Sequence, residues 1–188
     1  MILSGPKIKQ EIKNGIISIS PYNEELVNPA SIDVRLGEYY IFIPAQIKSV
    51  GFESFYDVKK SLEDHNYSAV KKPITDSMVL DTNGFYLMHT LESVYTEKYV
   101  AVLDGKSSIG RWGIQTHLTA GYIDPGFSGQ ITLEIKAAVP IKIYSGMRIG
   151  QIRFHEISGE VEKYNGNYKK DKKTSEGPIP SQIWKSLI

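Results

Sequence analysis

Two stretches of this chain concentrate side chains able to do chemistry. The first is Asp104-Gly105-Lys106-Ser107-Ser108-Ile109-Gly110-Arg111. It sets a lysine, an arginine and two hydroxyls at a turn directly after the strand-like run Val100–Leu103. Cations, hydroxyls and backbone N–H groups gathered at such a turn can hold phosphate oxygens. The spacing is not that of a P-loop, whose first glycine would stand where Val100 is. The same residues also suit a polar turn that caps a short helix through Ser107 or Ser108. The segment alone leaves both readings open.

The second stretch runs from His117 to Glu134, with Asp124-Pro125-Gly126 forming a turn. Beyond it Ile131, Leu133 and Ile135 alternate with Thr132, Glu134 and Lys136. That period of two is a strand with Thr132 and Glu134 on its polar face. A lone glutamate there is either an acid–base group or part of a solvated face. The histidines are His65, His89, His117 and His155, with no H-E-x-x-H or comparable spacing, and the chain has no cysteine. No protein-held zinc site, disulfide framework or cysteine nucleophile is expected.

The elements that position these residues are mostly short strands. A helix is expected at the N-terminus: Ser4 or Gly5 caps it, Pro6 suits its first turn, Ile8 and Ile12 share a face, Leu3 staples onto Ile8, and Gly15 stops it. After that the period becomes two. Strand-like runs are Ile17 with Ile19, Ile32 to Leu36, Tyr39–Ile43, Phe85–Met88, Val100–Leu103, Ile131–Ile135, Ile141–Tyr144 and Ile149–Phe154. Many short strands with regular Gly and Pro punctuation predict an all-β barrel or sandwich. Residues 44 to 80, with Lys59, Lys60, Glu63, Asp64, Lys71 and Lys72, read as a solvated excursion with a helical turn.

From Val161 the composition changes. Six lysines stand against three acids, a net of +3 in a chain whose total is +1. Residues 1–160 are therefore expected to form the β domain and 161–188 a separate segment. That segment reads as a frayed soluble tail or as a mobile basic flap over an anion. The total of +1 supplies no field for collecting a nucleic-acid polymer. The 188 residues suit one domain with a sizeable core, and 41% hydrophobic with 23% charged residues is a globular composition. No apolar run approaches the roughly 20 residues of a membrane helix, and no signal peptide is legible, so a cytoplasmic protein is expected.

GKSSIGRWG, then HLTAGYIDPGFSGQITLE, then GMRIGQIRF together closely resemble the dCTP deaminase family, which shares the trimeric dUTPase fold. MILSGPKI and PASIDVRLG resemble that family's earlier landmarks. The resemblance implies a mostly β, dUTPase-like barrel or jelly-roll-like domain with a short N-terminal helix, assembled as a homotrimer with sites between subunits. Thr119-Ala120-Gly121-Tyr122-Ile123-Asp124-Pro125-Gly126-Phe127 looks like the dUMP-forming kind, where the kind that stops at dUTP has His-Arg in place of Gly121-Tyr122.

By resemblance, Glu134 is the proton shuttle. Lys106, Ser107, Ser108, Ile109, Gly110 and Arg111 hold the triphosphate, and Ser107 and Arg111 position the attacking water. Asp124 binds the sugar 3′-hydroxyl and takes part in the second activity. Thr132, Leu133 and Glu134 face the base, Gln151 contacts the nucleotide, and Tyr164 lies near sugar and phosphates. Gly121 frees space for a second water and Tyr122 walls the pocket. The usual C-terminal K-Y-Q-G-Q-x-G-P is altered here. Counting back from Gly177-Pro178 puts Ser175 at the second glutamine and Lys172, across a one-residue gap, at the phosphate lysine. Counting forward from Tyr164 puts Asn167 there instead.

The implied substrates are dCTP and dUTP, with Mg²⁺ carried on the phosphates, no zinc, and dTTP as feedback inhibitor. Zinc deaminases generate hydroxide on a Cys/His-bound metal, which these residues cannot copy. A carboxylate raised in pKa by burial, Glu134, is expected to do that work. Two other readings are a deaminase that releases dUTP, opposed by Gly121-Tyr122, and a silent nucleotide-binding regulator, opposed by intact Ser107, Arg111, Asp124 and Glu134.

Overall fold

A computed structural model of the protein describes residues 1–45, 70–119 and 121–166. Helix α1 (Gly5–Lys13) starts as the residue types require: the Ser4 hydroxyl accepts from the Lys7 N–H and proline sits in the first turn. Asn14 closes it, and Gly15 follows with φ of +74°, a conformation glycine adopts without steric cost. Glu11 is buried on this helix, and its pKa is held below the ordinary carboxylate value chiefly by the hydrogen bond from Lys7. Leu3 and Ile8 both enter the core.

Twelve strands follow among the described residues. They are β1 (Ile17–Ser20), β2 (Ile32–Arg35), β3 (Tyr39–Pro44), β4 (Lys72–Pro73), β5 (Ser77–Leu80), β6 (Gly84–Thr96), β7 (Tyr99–Gly105), β8 (Ile114–Gln115), β9 (Gly121–Ile123), β10 (Ser128–Ala137), β11 (Ile141–Tyr144) and β12 (Arg148–Glu156). One sheet runs β4-β3-β6-β10-β8, with β1 on the far end of β6. A second runs β2-β12-β7-β9, and β11 pairs with β5. All of the pairings are antiparallel. This is the mostly β architecture, with one N-terminal helix, that the alternation of residue types predicts.

The core fills the space between the sheets with the inward members of the alternation, among them Ile32, Val34, Leu133, Ile135, Ile152 and Phe154. Two parts of residues 44–80 differ from the solvated excursion expected there. Lys72–Pro73 pairs with β3, and Ser77–Leu80 pairs with β11, burying Leu80. Lys59, Lys60, Glu63 and Asp64, with the helical turn expected near them, lie outside the described residues.

One irregularity aims the strand that carries Glu134. Gln130 pairs with Ser93 but Thr132 pairs with His89, so β6 takes extra residues at this point. Thr90 fills the gap: its hydroxyl accepts from the Ile131 N–H at 2.9 Å and donates to the Glu92 carbonyl at 2.7 Å.

Candidate active site

The phosphate-type segment lies at one end of the second sheet. A short helix α2 (Ser107–Gly110) follows β7, with Lys106 at its N-cap and no side chain capping it. The serine cap expected there is absent: Ser107 and Ser108 fall inside the first turn and are exposed. Ile109 is partly buried and packs against the core, so its side chain anchors α2. Gly110 and Arg111 are exposed beside the serines.

Lys106 is drawn back onto the sheet. Its Nζ lies 2.6 Å from Oδ1 of Asp33, which stands on β2. Gln151 stands opposite both Asp33 and Asp104 in the register of β12. It accepts from the Ser31 hydroxyl at 3.1 Å and donates to the Gly105 carbonyl at 3.5 Å. Lys106 and Gln151, 45 positions apart in sequence, thus share one corner of the molecule.

Glu134 projects from the outward side of β10, as the alternation predicts. Thr119 donates its hydroxyl to Oε2 at 3.3 Å, and His117 Nδ1 is 3.8 Å from the same oxygen. That Nδ1 is buried and makes no hydrogen bond. Opposite Glu134 on β6 is Leu87, part of a small apolar cluster with Ile41 and Ile43. The carboxylate therefore has polar groups from the loop after β8 on one side and an apolar cross-strand neighbour on the other. Its side chain is 30% exposed, so one chain supplies only part of the burial expected of a proton shuttle.

Leu133 departs from the role implied for it. It is fully buried in the core because the period of two turns it away from Thr132 and Glu134. Only its backbone is left for a ligand.

Asp124 and Tyr164 come together through the turn between β9 and β10. The Tyr164 N–H donates to the Pro125 carbonyl at 2.7 Å, and its ring meets Phe127 edge-on at 6.0 Å. Lys163 reaches Glu97 at 3.4 Å. Asp124 is exposed beside them. The chain from Val161 to Gly166 is thereby held against the Asp124 loop. Lys172, Asn167 and Ser175 lie outside the described residues.

Gly121 has a different physical reason from the one the sequence suggests. A Cβ built on it would stand 2.3 Å from the Leu103 carbonyl oxygen and 2.7 Å from the Leu103 Cβ. Glycine lets β9 press onto β7. Its neighbour Tyr122 points the other way and is 63% exposed. Trp112, 68% exposed, and Leu118 add two more uncovered apolar side chains to the segments around α2 and β8.

The single chain thus gathers the expected residues into three groups: Lys106 with Gln151, Glu134 with Thr132, and Asp124 with Tyr164. Among the described residues, no hydrogen bond or ion pair joins Ser107 or Arg111 to Glu134. The nearest covalent path is α2 to β8, which pairs with β10 at Gln115 and Lys136. Among the described residues, no three His, Asp or Glu are grouped to hold a metal ion. No described helix is long and apolar enough to cross a membrane.

Residues 33, 117, 119 and 148 received no role from the sequence. A hydroxyl and an imidazole two residues apart before Ala120 were a weak local signal for Thr119 and His117. Nothing local marks Asp33 or Arg148.

Comparison with known proteins shows the family. The profile of the family described as dCTP deaminase-like matches residues 2–157. A relative from Clostridium acetobutylicum named dCTP deaminase, dUMP-forming, is 40% identical, covering 100% of this chain and 99% of its own. Relatives of the same name from Salinispora arenicola and Leptospira biflexa are each 37% identical, covering 99% and 100% of this chain. The structure of 2′-deoxycytidine 5′-triphosphate deaminase from Agrobacterium tumefaciens shares the fold, with a TM-score of 0.59 at 24% identity over 81% of this chain and 47% of that one. With a profile that spans residues 2–157 and relatives alike over the whole length, the chain belongs to the dCTP deaminase-like family.

Proposed function

We propose that this protein converts dCTP to dUMP, releasing ammonia and pyrophosphate, through sites completed between the subunits of a homotrimer. The observation that carries the reading is likeness along the full chain to relatives named dUMP-forming, with Glu134 set on an outward strand face beside Thr119.

In the first step water adds to C4 of the cytosine ring. Glu134 takes a proton from that water and passes it to ring N3, then carries the remaining hydroxyl proton to the amino group, which leaves as ammonia as the C4–N bond breaks and C4 becomes a carbonyl. Ser107 and Arg111 fix the water and stabilise the charge that develops. In the second step another water attacks the α-phosphorus and the bond to the β-phosphate bridging oxygen breaks, leaving dUMP and pyrophosphate. Lys106 with Ser108 and Gly110 holds the phosphates, Asp124 accepts from the 3′-hydroxyl, and Gln151 and Tyr164 frame the nucleotide. Thr132 faces the base. Mg²⁺ carried on the substrate phosphates would supply charge neutralisation there, beside the contacts from Lys106, Ser108 and Gly110.

The exposed serines and Arg111 lie on α2 without touching Glu134, and Trp112, Leu118 and Tyr122 are uncovered nearby. Apposing a second copy would cover these apolar side chains and bring an α2 to another chain's Glu134. Residues 161–188, which start docked on the Asp124 loop, act as the flap that carries Lys172 to the phosphates. dTTP, which shares sugar and triphosphate with the substrate, is the inhibitor this site would accept.

Ammonia release from dCTP in the presence of Mg²⁺ tests the reading. The activity is expected to persist in a zinc-selective chelator and to fall when Mg²⁺ is withdrawn. Loss to the zinc chelator with recovery on zinc alone would contradict it.

A further inference from the structure

Asp33 is a carboxylate in a place where carboxylates are rarely kept. It stands on β2 between Ile32 and Val34, and its side chain is 0% exposed. A buried charge is tolerated only when fully partnered, and apolar residues of similar size usually fill such positions at less cost. Asp33 has three partners from three separate places in the chain. Asn28 donates to Oδ1 at 2.8 Å, Lys106 Nζ is 2.6 Å from the same oxygen, and Arg148 Nη1 lies 3.3 Å from Oδ2.

The set is asymmetric in charge. Two cations meet one carboxylate, so the corner keeps an excess positive charge. Arg148 gives this contact while its side chain stays 51% exposed, leaving guanidinium donors turned to solvent. Lys106 is tethered at the start of α2, and Gln151 is oriented from the same stretch through Ser31. A lysine and an arginine on long flexible stems are here held in fixed places before any ligand arrives, which is how a site lowers the entropic cost of binding an anion.

We propose that Asp33, Lys106 and Arg148 form one phosphate-recognition unit, in which Asp33 is the positioning residue and Arg148 supplies a second cation to the triphosphate. The proposal rests on the reading that this corner receives a nucleoside triphosphate. Arg148 is exposed enough to be replaced without disturbing the core, which makes it the first variant to examine.

The test is calorimetric binding of dCTP, dCMP and deoxycytidine to the full chain and to Arg148→Gln, Lys106→Met and Asp33→Asn. In Arg148→Gln the dissociation constant for dCTP should rise at least about tenfold, as expected for one charge-assisted contact. Affinity for dCMP should move less than about threefold, since neither cation then meets the outer phosphates. Asp33→Asn should act in the same direction, and combining it with Lys106→Met should add less than the two separate losses. If the unsubstituted protein binds no dCTP, the functional reading falls and this unit with it. If it binds dCTP and Arg148→Gln binds it equally well, the unit alone is wrong. If Arg148→Gln weakens all three ligands alike, Arg148 has only a structural role and the proposal is overturned. If Asp33→Asn lowers the melting temperature too far to be measured, Arg148→Gln decides the matter by itself.

Discussion

Glu134→Gln should abolish ammonia release while leaving nucleotide binding nearly intact. The amide keeps the shape of the side chain and can still meet the Thr119 hydroxyl, 3.3 Å away in the native protein. It cannot accept a proton from water or return one to the leaving amine. General acid–base groups contribute about 10²–10⁴-fold, so turnover should fall by at least that range. Steady-state deamination together with dCTP binding by calorimetry separates the two properties. Turnover within threefold of the native protein would show, by the same scale of effects, that another group moves the proton. Thr119→Ala should cost far less, because it removes one partner of the carboxylate and leaves the carboxylate in place.

A large effect of a different kind is expected at Gly121. The two kinds of enzyme in the family differ at this position and the next, and exchanging Gly121-Tyr122 for His-Arg would look like a direct test of product choice. The packing says otherwise. Any side chain at 121 drives a Cβ into the Leu103 carbonyl at 2.3 Å, a contact that only a shift of β9 away from β7 can relieve. Overpacking of this sort costs about 3 kcal/mol. For a chain of this size that lowers the melting temperature by about 6–12 °C.

Gly121→His should therefore show its effect first in thermal unfolding, and in activity only as a consequence. Tyr122→Arg is the cleaner experiment, because Tyr122 is largely exposed and its replacement leaves the β7–β9 contact alone. It should reduce pyrophosphate release more than ammonia release, with little change in melting temperature. A Gly121→His protein that melts with the native one would remove the packing account.

The readable parts of the chain were those whose signal is local. α1 carries its cap, its first-turn proline and its stop within a dozen residues. β2, β10 and β12 announce themselves by alternating apolar and polar residue types, and β7 by the unbroken apolar run Tyr99–Leu103. β8 and β9 have only two and three residues, too few for a period, and exist because β10 and β7 offer them hydrogen bonds. β5 is hidden for another reason: Val79 is exposed and Ser77 polar, so its pairing with β11 and not its own pattern makes it a strand.

The candidate site divides in the same way. Strand parity puts Glu134 on an outward face and turn chemistry marks the loop that holds Asp124, while their roles come from the family resemblance alone. The support behind Lys106 was not legible, since Asp33 lies 73 residues from it and 115 from Arg148. A glycine that allows close backbone approach, as Gly121 does, looks in sequence like a glycine that leaves space. Leu133 shows the limit of a carried-over segment: neighbours in a strand face opposite ways, so three consecutive residues cannot all turn their side chains to one ligand.

The measurement that bears most directly on the account is the identity of the product formed from dCTP labelled in the base and in the α-phosphate, with Mg²⁺ present. The account predicts that both labels emerge together in dUMP, with ammonia and pyrophosphate released in equal amounts and without dUTP accumulating. Labelled dUTP building up in step with ammonia would contradict it and leave a deaminase that stops after the first step.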